Sequence, residues 1–407
     1  MNTKTNANMD INAPAGALSG LKILDFTTLL PGPFATMNLA DLGADVLRIT
    51  TATRTDLVDE LEPLTPGSTI STTASMLGRN KRILTLDLKK NESIEIVKKL
   101  ISEGGYDVLV EQFRPGVMER LGLGYKALAA TNPSLIYCSI SGYGQQGSHA
   151  QTAGHDINYL SLAGLMDYSG RRETGPVLTG VQIADIVGGS NNAAISILAA
   201  VISRINNGQG QHIDVSMFDG AFALNVMFGS GTPVAGTSPE REGTLLNGGS
   251  CYDFYETADG GYISFGGLEP KFWANFCTKL GHEEWIEKTV EAGSDVKEEI
   301  RKIFRTKTRD EWVEVFSGTD ACIAPVLSVA EAMDSELIKE RNLIVEVPQT
   351  QSQTIKQIAS PFNLSKTPVT YWQVGRPVAE ADNREILKAL GYSEEKIREL
   401  ENIGVLR

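Results

Sequence analysis

The chain has 407 residues, of which 42% are hydrophobic and 21% are charged. Because a single core usually stops growing at roughly 250 to 300 residues, this length predicts at least two domains. The formal net charge of −13 would repel a polyanion and argues against a nucleic-acid partner, although a local basic cluster could still bind a small anion.

The first predicted elements are a strand at residues 21–26, a helix at 34–42 and a strand at 45–49. Apolar runs that flank a stretch of helical spacing, with Gly43 at the helix end, are typical of a βαβ unit. The pattern continues with strands at 83–88, 107–111 and 135–139 and a helix at 93–103. This alternation predicts a doubly wound α/β domain, which binds its ligand at the carboxyl ends of parallel strands.

The middle of the chain predicts a second, smaller domain. Residues 184–205 are rich in Ala, Ile, Val and Gly with few charges, which indicates a buried core helix. A polar, Gly- and Pro-rich stretch after about residue 229 is typical of a linker or binding loop. A hairpin pattern at 252–257 and 262–265, mixed with helices, then favours a small α+β domain.

The predicted organisation therefore has four parts. They are a disordered N-terminal segment (1–20), a large Rossmann-like domain (21–228), a small α+β domain with its linker (229–335), and a C-terminal segment (336–407) that returns to the large domain.

The cysteines are far apart and form no CxxC pair; they are Cys138, Cys251, Cys277 and Cys322. This spacing argues against a disulfide framework and against a thiolate zinc site. The polar N-terminus lacks the apolar core of a signal peptide, and no stretch approaches the ~18 apolar residues of a membrane span. The sequence predicts reduced thiols, a cytoplasmic location and no membrane association.

The histidines are scattered, with no HxH, HxxxH or HExxH spacing, so no metal site is expected. His155 stands out because Gly154-His155-Asp156 lies where a Gly-rich loop gives way to a helical pattern. Free backbone N–H groups at a helix N-terminus could bind a carbonyl oxygen or an anion there. The alternative is that Asp156 only caps the helix and His155 is a partly buried hydrogen-bond donor.

Neither GxGxxG nor GxxxxGK[ST] occurs, so no standard phosphate loop is present. The basic cluster of Arg79, Lys81 and Arg82 precedes a predicted strand, and Arg114 follows another. These groups could bind phosphate. The alternative is that each is a solvated surface charge.

An ordered series of motifs extends from about residue 20 to residue 340. The motifs are GLKILDFTTLLPGPFATMNLADLGADVLRI, GRNKRILTLDLKK, EQFRPGVMERLGLG, LIYCSISGYGQQGS, AGHDINYLSLAGL, GQGQHIDVSMFDG, YDFYETADGGYISFGGLEPKFW and GTDACIAPVL. On these motifs the chain resembles the family III CoA transferases, the CaiB/BaiF superfamily, and within it the α-methylacyl-CoA racemases. The resemblance implies a CoA thioester ligand and an interlocked, ring-like homodimer of two-domain subunits.

The same resemblance separates two subgroups. The transferases use the equivalent of Asp156 as a nucleophile that forms acyl-enzyme anhydrides, and they carry a mobile glycine-rich loop. The racemases use the histidine of AGHDINY together with an aspartate about 30 positions later. Here Asp185 follows His155 by 30 positions, and Gly267-Leu268-Glu269-Pro270 stands where the transferases have the loop. These markers favour the racemases.

The racemase chemistry gives these residues a physical role. Inverting a carbon next to a thioester requires removing a proton on one face and returning one on the other, so two acid/base groups must flank it. The resemblance assigns them to His155 and Asp185. Their unperturbed pKa values, about 6.5 and 3.9, would have to be brought closer by burial or charge. Glu269 would hold the imidazole in one tautomer, and backbone N–H groups after Gly154 would stabilise the enolate oxygen.

The resemblance also implies contacts with CoA. They fall at Leu86, Asp87, Leu88 and Lys89, at Arg114, and in the motif at Gly154, Ile157, Asn158 and Tyr159. The chain departs from the family pattern twice. Thr51 stands where family members usually have an arginine, for which Arg54 could substitute, and Asn247 stands where racemases typically have an aspartate, which could alter the acyl pocket.

The leading hypothesis is a racemase or epimerase of 2-methyl-branched acyl-CoA thioesters that uses no metal or redox cofactor. The alternative is a CoA transferase that moves CoA between carboxylic acids through an acyl-enzyme at Asp156. A third hypothesis, a non-catalytic CoA-binding protein, is motivated by Thr51 and Asn247. The acyl group is not specified, because its pocket is assembled from distant segments.

Overall fold

The computed structural model describes residues 16–51, 53, 55–291 and 293–406. The strands are β1 (Lys22–Phe26), β2 (Asp45–Thr50), β3 (Lys81–Thr85), β4 (Val108–Glu111), β5 (Ile136–Ser141), β6 (His212–Ser216), β7 (Asp253–Glu256), β8 (Tyr262–Phe265), β9 (Ile323–Pro325), β10 (Ile344–Pro348) and β11 (Thr354–Ile358).

The α-helices alternate with these strands in the first half of the chain and cluster after β8. They are α1 (Pro31–Asp41), α2 (Thr72–Leu77), α3 (Asn91–Ser102), α4 (Val117–Arg120), α5 (Tyr125–Ala129), α6 (Asp156–Leu162), α7 (Asn192–Asn207), α8 (Met217–Ala223), α9 (Thr232–Ala235), α10 (Pro270–Leu280), α11 (Ser294–Phe304), α12 (Arg309–Phe316), α13 (Val329–Asp334), α14 (Glu336–Glu340), α15 (Asn383–Ala389) and α16 (Glu394–Asn402). A π-helical segment, Ala184–Asn191, leads directly into α7.

The strands β1 to β6 form one sheet in the order β3-β2-β1-β4-β5-β6, and every neighbouring pair is parallel. This is the strand order of a doubly wound Rossmann-type sheet, in which the order reverses between β1 and β4. In sheets of this type the ligand-binding crevice usually lies at the carboxyl ends of the strands where the order reverses. The predicted α/β fold class is confirmed, and the sheet directs attention to the loops after β1, β4 and β5.

Helix α3 shows how the sequence builds the layers around this sheet. Its buried side chains include Ile94, Val97, Leu100 and Ile101, at the three- and four-residue spacing of one helix face. They join a core that also contains Leu24, Leu47, Leu84 and Leu109 from the strands. Fully burying one such side chain contributes roughly 1.5 to 3 kcal/mol, so this face fixes α3 on the sheet.

The edge strand β3 is covered by side chains from the start of α15. The backbone N–H of Ile83 donates to Asp382 Oδ2 at 2.8 Å, and that of Thr85 donates to Asn383 Oδ1 at 2.8 Å. Asn383 also donates to the Thr85 hydroxyl at 2.7 Å. Outward-facing amides of an edge strand are a template for pairing with another chain, and here the C-terminal segment occupies them.

The chain divides into two compact units. The first comprises the described residues up to Tyr159, Gln182–Ala221 and the described residues from Arg341 onward; the second comprises Leu160–Val181 and Phe222–Glu340. The sequence instead assigned 160–181 to the large domain and set the boundary at 229. Helix α8 continues across Ala221 and Phe222, so no break in helical pattern marks the division.

In the second unit, β7, β8 and β9 form an antiparallel sheet, and Glu256 pairs with Tyr262 across the hairpin. This confirms the predicted hairpin. The core of this unit is aromatic, and its buried indoles have partners: Trp273 Nε1 donates to Trp285 O at 2.9 Å and Trp312 Nε1 to Phe304 O at 2.7 Å. A buried indole N–H needs such an acceptor, so these bonds fix the packing of the two rings.

The segment 184–207 is not the buried core helix that the sequence predicted. It begins as a π-helix, and one face of α7 is open, with Ile195, Ile202 and Ile205 at 64%, 61% and 77% exposure. Among the described residues, Ala184–Asn207 is also a helix long and apolar enough to span a membrane by length and composition, although core helices pass the same test. The expectation that no stretch approaches this limit was therefore wrong, because small polar residues interrupt the apolar run without making it hydrophilic.

The predicted disordered segment, 1–20, lies outside the described residues as far as residue 15. Residues 17–20 form a turn, and the Leu18 N–H donates to Leu42 O at 2.9 Å. This bond attaches the turn to the end of α1, so residues 16–20 belong to the first unit and not to a disordered tail.

Candidate active site

The carboxyl edge of the parallel sheet carries the candidate site. At the point where the strand order reverses, the Gly32 N–H of α1 donates to Gln112 Oε1 at 2.9 Å, just beyond the end of β4. This bond satisfies one of the unpaired amides at a helix N-terminus. It also fixes the first turn of α1 beside the loop that follows β4.

The segment after β5 places His155 at the start of α6. The His155 N–H donates to Asn158 Oδ1 at 3.0 Å, and the His155 carbonyl accepts from the Asn158 N–H at 2.8 Å. Asn158 therefore makes reciprocal bonds that hold the backbone of His155, while the side chain of His155 is exposed. The His155 N–H is one of the backbone donors predicted to stabilise the enolate oxygen, and it already donates to Asn158.

Asp156 does not cap its own helix. Its Oδ1 accepts from the backbone N–H of Asp185 at 3.1 Å, at the second residue of the π-helical segment. The carboxylate therefore satisfies an N-terminal amide of a different helix. This contact brings the His155-Asp156 pair and Asp185 together in the first unit, although 29 positions separate the two aspartates.

Asp185 is half-buried, and burial raises its pKa to about 6. The nearby charge of Asp156 raises the pKa further, whereas His155 opposes the shift and lowers it. Because a carboxyl group normally titrates near 3.9, Asp185 can hold or release a proton close to neutral pH. The predicted two-base chemistry requires such a rise in the pKa of Asp185, and burial is the main physical cause of the rise.

Tyr159 fixes the glycine-rich loop before His155. Its hydroxyl donates to Gly154 O at 2.6 Å, and a Cβ on Gly142 would lie 2.7 Å from that hydroxyl. A Cβ on Gly154 would lie 2.8 Å from the Tyr159 ring. The ring is buried between the two glycines, so both positions must lack a side chain for the loop to close on it.

The residues predicted to contact CoA after β3 form a turn rather than the end of the strand. Leu86 is buried, and the Asp87 N–H donates to Val405 O at 3.0 Å. Lys89 is exposed. The turn is therefore attached to the C-terminal segment, and Lys89 is the most exposed of its charged side chains.

Arg114 lies in the turn after β4, and its side chain is exposed. The turn has two attachments: Gln151 Nε2 donates to Pro115 O at 2.9 Å, and the Phe113 N–H donates to Glu111 Oε2 at 2.8 Å. Gln151 belongs to the loop before His155. The structure therefore connects the Arg114 turn with that loop inside the first unit.

Glu111 is a functional candidate that the sequence reasoning missed. It is buried, and burial raises its pKa to about 7, against the opposing hydrogen bonds from Ser139 and Phe113. Ser139 Oγ also lies 3.0 Å from His212 Nε2. The glutamate stands within an apolar strand pattern that gave no signal of a titrating group.

We expect Glu111→Gln to change how the free energy of unfolding depends on pH. The folded pKa of about 7 exceeds the ordinary value of 4.5, so the unfolded chain loses the proton first. Ionising Glu111 therefore destabilises the fold progressively between pH 4.5 and 7, by about 3 kcal/mol in full. Glutamine cannot ionise, so the variant does not lose stability in this way. Its free energy of unfolding relative to wild type should therefore rise by about 2 kcal/mol between pH 5 and pH 8.

Urea unfolding at the two pH values measures this difference. Glu395→Gln is the matched control, because Glu395 is exposed in the first unit, and it should follow the wild type at both pH values. A Glu111→Gln variant whose stability changes in parallel with the wild type would show that Glu111 is ionised throughout the range.

Two members of the basic cluster around the start of β3 are not exposed in the way that the predicted phosphate site requires. Arg79 and Lys81 are buried and paired with carboxylates, Arg79 with Asp41 at 2.6 Å and Lys81 with Asp25 at 3.1 Å. Lys81 also donates to Pro33 O at 3.0 Å. Neither group is a surface charge, so both sequence interpretations were wrong for them.

A family model described as CoA-transferase family III matches residues 18–383. The chain belongs to CoA-transferase family III. It is 35% identical over 394 residues to an α-methylacyl-CoA racemase of Homo sapiens, which covers 96% of this chain and 97% of the relative. It is also 29% identical over 400 residues to a succinyl-CoA:glutarate CoA-transferase of Homo sapiens, with 96% and 90% covered.

Solved structures agree with the family assignment. A CaiB/BaiF family protein from Brucella suis superposes with a TM-score of 0.81 at 26% identity, over 92% of this chain and 100% of that one. Membership of family III therefore rests on sequence and fold together. Racemases and transferases both occur among the relatives of this chain.

The first departure from the family pattern lies after β2. Thr51 Oγ1 is 3.0 Å from Thr53 Oγ1 and accepts from the Thr53 N–H at 3.3 Å. The Thr51 side chain therefore contacts Thr53. The predicted substitute, Arg54, lies outside the described residues.

The second departure, Asn247, stabilises a loop of the second unit. Its amide donates to Tyr168 O at 3.0 Å and to Glu240 O at 2.7 Å, and its Oδ1 accepts from the Thr244 N–H at 2.9 Å. Two of these bonds need N–H donors that an aspartate lacks. Asn247 therefore stabilises this loop by bonding to backbone atoms.

Glu269 directly precedes α10 in the second unit, in the N-cap position but without a capping side-chain bond. The pKa of the Cys322 thiol is raised, first by partial burial and second by the negative charge of Glu269. The neighbouring Gly266 N–H donates to Cys322 O at 2.9 Å. The predicted role of Glu269 in holding the imidazole of His155 stays a prediction.

Proposed function

We propose that this family III protein is a racemase or epimerase of 2-methyl-branched acyl-CoA thioesters, in which His155 and Asp185 transfer the α-proton. The observation that carries the proposal is the hydrogen bond from the Asp185 N–H to Asp156 Oδ1 at 3.1 Å, which holds Asp185 beside the residue that directly follows His155. The 35% identity to an α-methylacyl-CoA racemase supports the same reaction.

The proposed reaction has two proton transfers. One base removes the proton from the carbon next to the thioester, which leaves an enolate, and the conjugate acid of the other group returns a proton on the opposite face. A carboxyl group with a pKa of about 6 can both accept and return a proton near neutral pH, which reversible exchange at the α-carbon requires. In this proposal no metal or redox cofactor takes part.

We propose that the CoA part of the substrate lies along the carboxyl edge of the sheet. Lys89 and Arg114 each present an exposed cation near this edge, and such groups suit the phosphates of CoA. The predicted contacts of Gly154, Ile157, Asn158 and Tyr159 would follow from the position of α6 after β5. A crevice where the strand order reverses is the usual ligand position in this type of sheet.

The test is deuterium uptake from heavy water. Each enantiomer of a panel of 2-methylacyl-CoA thioesters is incubated with the protein, and the product is analysed by mass spectrometry and chiral chromatography. We expect one deuterium at the α-carbon together with loss of configuration. No uptake and no inversion on any thioester of the panel would refute the proposal.

The alternative function is a CoA transferase, because the relatives include a succinyl-CoA:glutarate CoA-transferase. In that reaction an aspartyl oxygen attacks the thioester carbonyl and forms an anhydride as the CoA thiolate leaves. Asp156 Oδ1 already accepts the Asp185 N–H, which leaves its other oxygen for such an attack. An acyl adduct on Asp156, without deuterium uptake at the α-carbon, would favour the transferase.

We also propose that the active form is a homodimer. The support is the open apolar face of α7, where Ile195, Ile202 and Ile205 are exposed, because exposed apolar patches of this kind commonly mark interfaces. Multi-angle light scattering should give a mass of two chains. A single-chain mass at micromolar concentration would contradict the dimer.

A further inference from the structure

The π-helical segment Ala184–Asn191 is fastened through Ser190. This side chain is fully buried, and its hydroxyl donates to Pro31 O at 2.6 Å and approaches Asp185 O at 3.2 Å. A hydroxyl carries one proton, so the shorter contact with Pro31 is the main bond and the contact with Asp185 is the weaker branch. Ser190 thus links the segment that carries Asp185 to the first residue of α1.

Pro31 is itself held in place. It is buried at the start of α1, and the next residue donates its N–H to Gln112 Oε1 at 2.9 Å. Farther along α1, Thr36 donates to Asp25 Oδ2 at 2.6 Å. The Pro31 carbonyl is therefore a fixed acceptor, and a bond to it fixes the donor as well.

Small residues let the π-helical segment approach its neighbours closely. A Cβ on Gly188 would lie 2.6 Å from Met217 O, and a Cβ on Gly189 would lie 3.0 Å from Pro31 Cβ. Gly220 of α8 approaches Gly188 so closely that its own Cβ would meet Gly188 Cα at 2.3 Å. Two neighbouring elements therefore confine the segment, and only small side chains fit there.

A π-helix is rare because its wider i→i+5 turn is less favourable than the α-helical turn, and where it occurs it often marks a functional site. Relaxation to the i→i+4 pattern would shift the register by one residue, which is a rotation of about 100° around the helix axis. Such a shift would turn the Asp185 side chain away from its present direction. The segment therefore needs attachments at both ends, and Asp156 supplies the one at the Asp185 N–H.

We infer that Ser190 is a positioning residue for the Asp185 carboxylate: its bond to Pro31 keeps the segment in its π-helical form and so keeps Asp185 in its place beside the His155-Asp156 pair. Ser190 acts through the backbone of residues 184–191 and takes no proton from the substrate. The inference rests on the proposed function, in which Asp185 is one of the two bases.

The variants Ser190→Ala and Ser190→Cys test this role. Both remove the strong donor, and cysteine also keeps the side-chain volume. Because a misplacement of about 1 Å can cost up to 100-fold in rate, we expect both variants to lower kcat for α-proton exchange by about 10- to 100-fold while KM changes by less than about twofold. Ser75→Ala is the matched control, since Ser75 is equally buried and contacts Gln357, and its kcat should stay within about twofold of wild type.

The pH profile distinguishes positioning from a general loss of stability. Asp185 must be ionised to accept a proton, so activity in the direction that uses it as base should fall below pH of about 6. If the variants let the carboxylate turn toward water, its pKa falls, and the acidic limb of kcat moves to lower pH. An unchanged limb together with wild-type kcat in Ser190→Cys would show that Ser190 only fills space, which overturns the inference.

Hydrogen–deuterium exchange of the backbone supplies a readout that does not depend on turnover. In Ser190→Ala, amides of 184–191 should exchange about tenfold faster or more, while α3 and the strands of the sheet stay protected. Should the wild type prove inactive on every thioester, the proposed function fails on its own, and unchanged protection of 184–191 would separately overturn the role of Ser190. Faster exchange with unchanged kcat and pH limb would also overturn it.

Discussion

His155→Ala is expected to lower the rate of inversion of a 2-methylacyl-CoA thioester by about 10²- to 10⁴-fold, the usual contribution of a general acid or base. The loss should affect both enantiomers, because inversion requires a proton donor on one face and an acceptor on the other. Deuterium exchange without inversion should survive only for the enantiomer whose α-proton faces Asp185. Chiral chromatography and mass spectrometry of both enantiomers measure the two rates separately.

The matched control is His149→Ala. His149 is an exposed histidine of the same glycine-rich loop, and its ring contacts Tyr143. Its removal should leave both rates within about threefold of wild type. Inversion by His155→Ala within tenfold of the wild-type rate would remove the imidazole from the proposed mechanism.

Arg79→Met is expected to lower the free energy of unfolding by about 3 to 5 kcal/mol, because it leaves the buried carboxylate of Asp41 without its cation. Arg79 donates to both oxygens of Asp41, at 3.1 and 2.6 Å, and to Ile358 O at 2.9 Å. Both side chains of the pair are fully buried. Burial already raises the pKa of Asp41 despite Arg79, so the carboxylate depends strongly on this partner.

Urea unfolding followed by circular dichroism measures the effect. Arg82→Met is the matched control, because Arg82 pairs with Asp45 at 2.7 Å while both side chains remain about one-third exposed, and such pairs contribute at most about 1 kcal/mol. The double variant Arg79→Met with Asp41→Leu should recover much of the loss, since apolar replacement of a whole buried pair is often neutral. Equal losses in the Arg79 and Arg82 variants would contradict this account.

The sequence predicted the sheet because the determinants of its strands are local. The run 21–26 and the βαβ pattern that follows appear in the structure as β1 (Lys22–Phe26), α1 and β2. Strand β3 begins two residues earlier than predicted, at Lys81. Lysine is usually a surface residue, so the pattern did not predict that Lys81 is buried in the strand. The carboxylate of Asp25, which allows this burial, lies 56 positions away.

The site was predictable only in part. The motif around His155 and the spacing to Asp185 pointed to the two residues, and the structure brings them together in one unit. The contact of Asp156 with the Asp185 N–H depends on tertiary structure that no local pattern encodes. The same holds for Ser190, whose acceptor Pro31 lies 159 positions earlier, and for the buried Glu111.

The organisation of the second unit was harder to predict. Residues 160–181 begin inside α6, where no marked change in composition indicates a boundary, yet they group with Phe222–Glu340. Their attachment comes from long-range ion pairs such as Arg171 with Glu242 at 3.1 Å. Charge pairs between segments 71 positions apart leave no periodic signal in either segment.

The side-chain cover on β3 has a consequence for biosynthesis. The acceptor for the Ile83 N–H is Asp382, 299 positions later, so a growing polypeptide exposes this edge of the sheet until residue 382 has left the ribosome. At translation rates of about 5 to 20 residues per second, the unprotected interval lasts roughly 15 to 60 s. Chains that end before residue 382 would keep unpaired backbone amides on β3. We expect these chains to pair with one another through this strand and to precipitate instead of forming a soluble fragment.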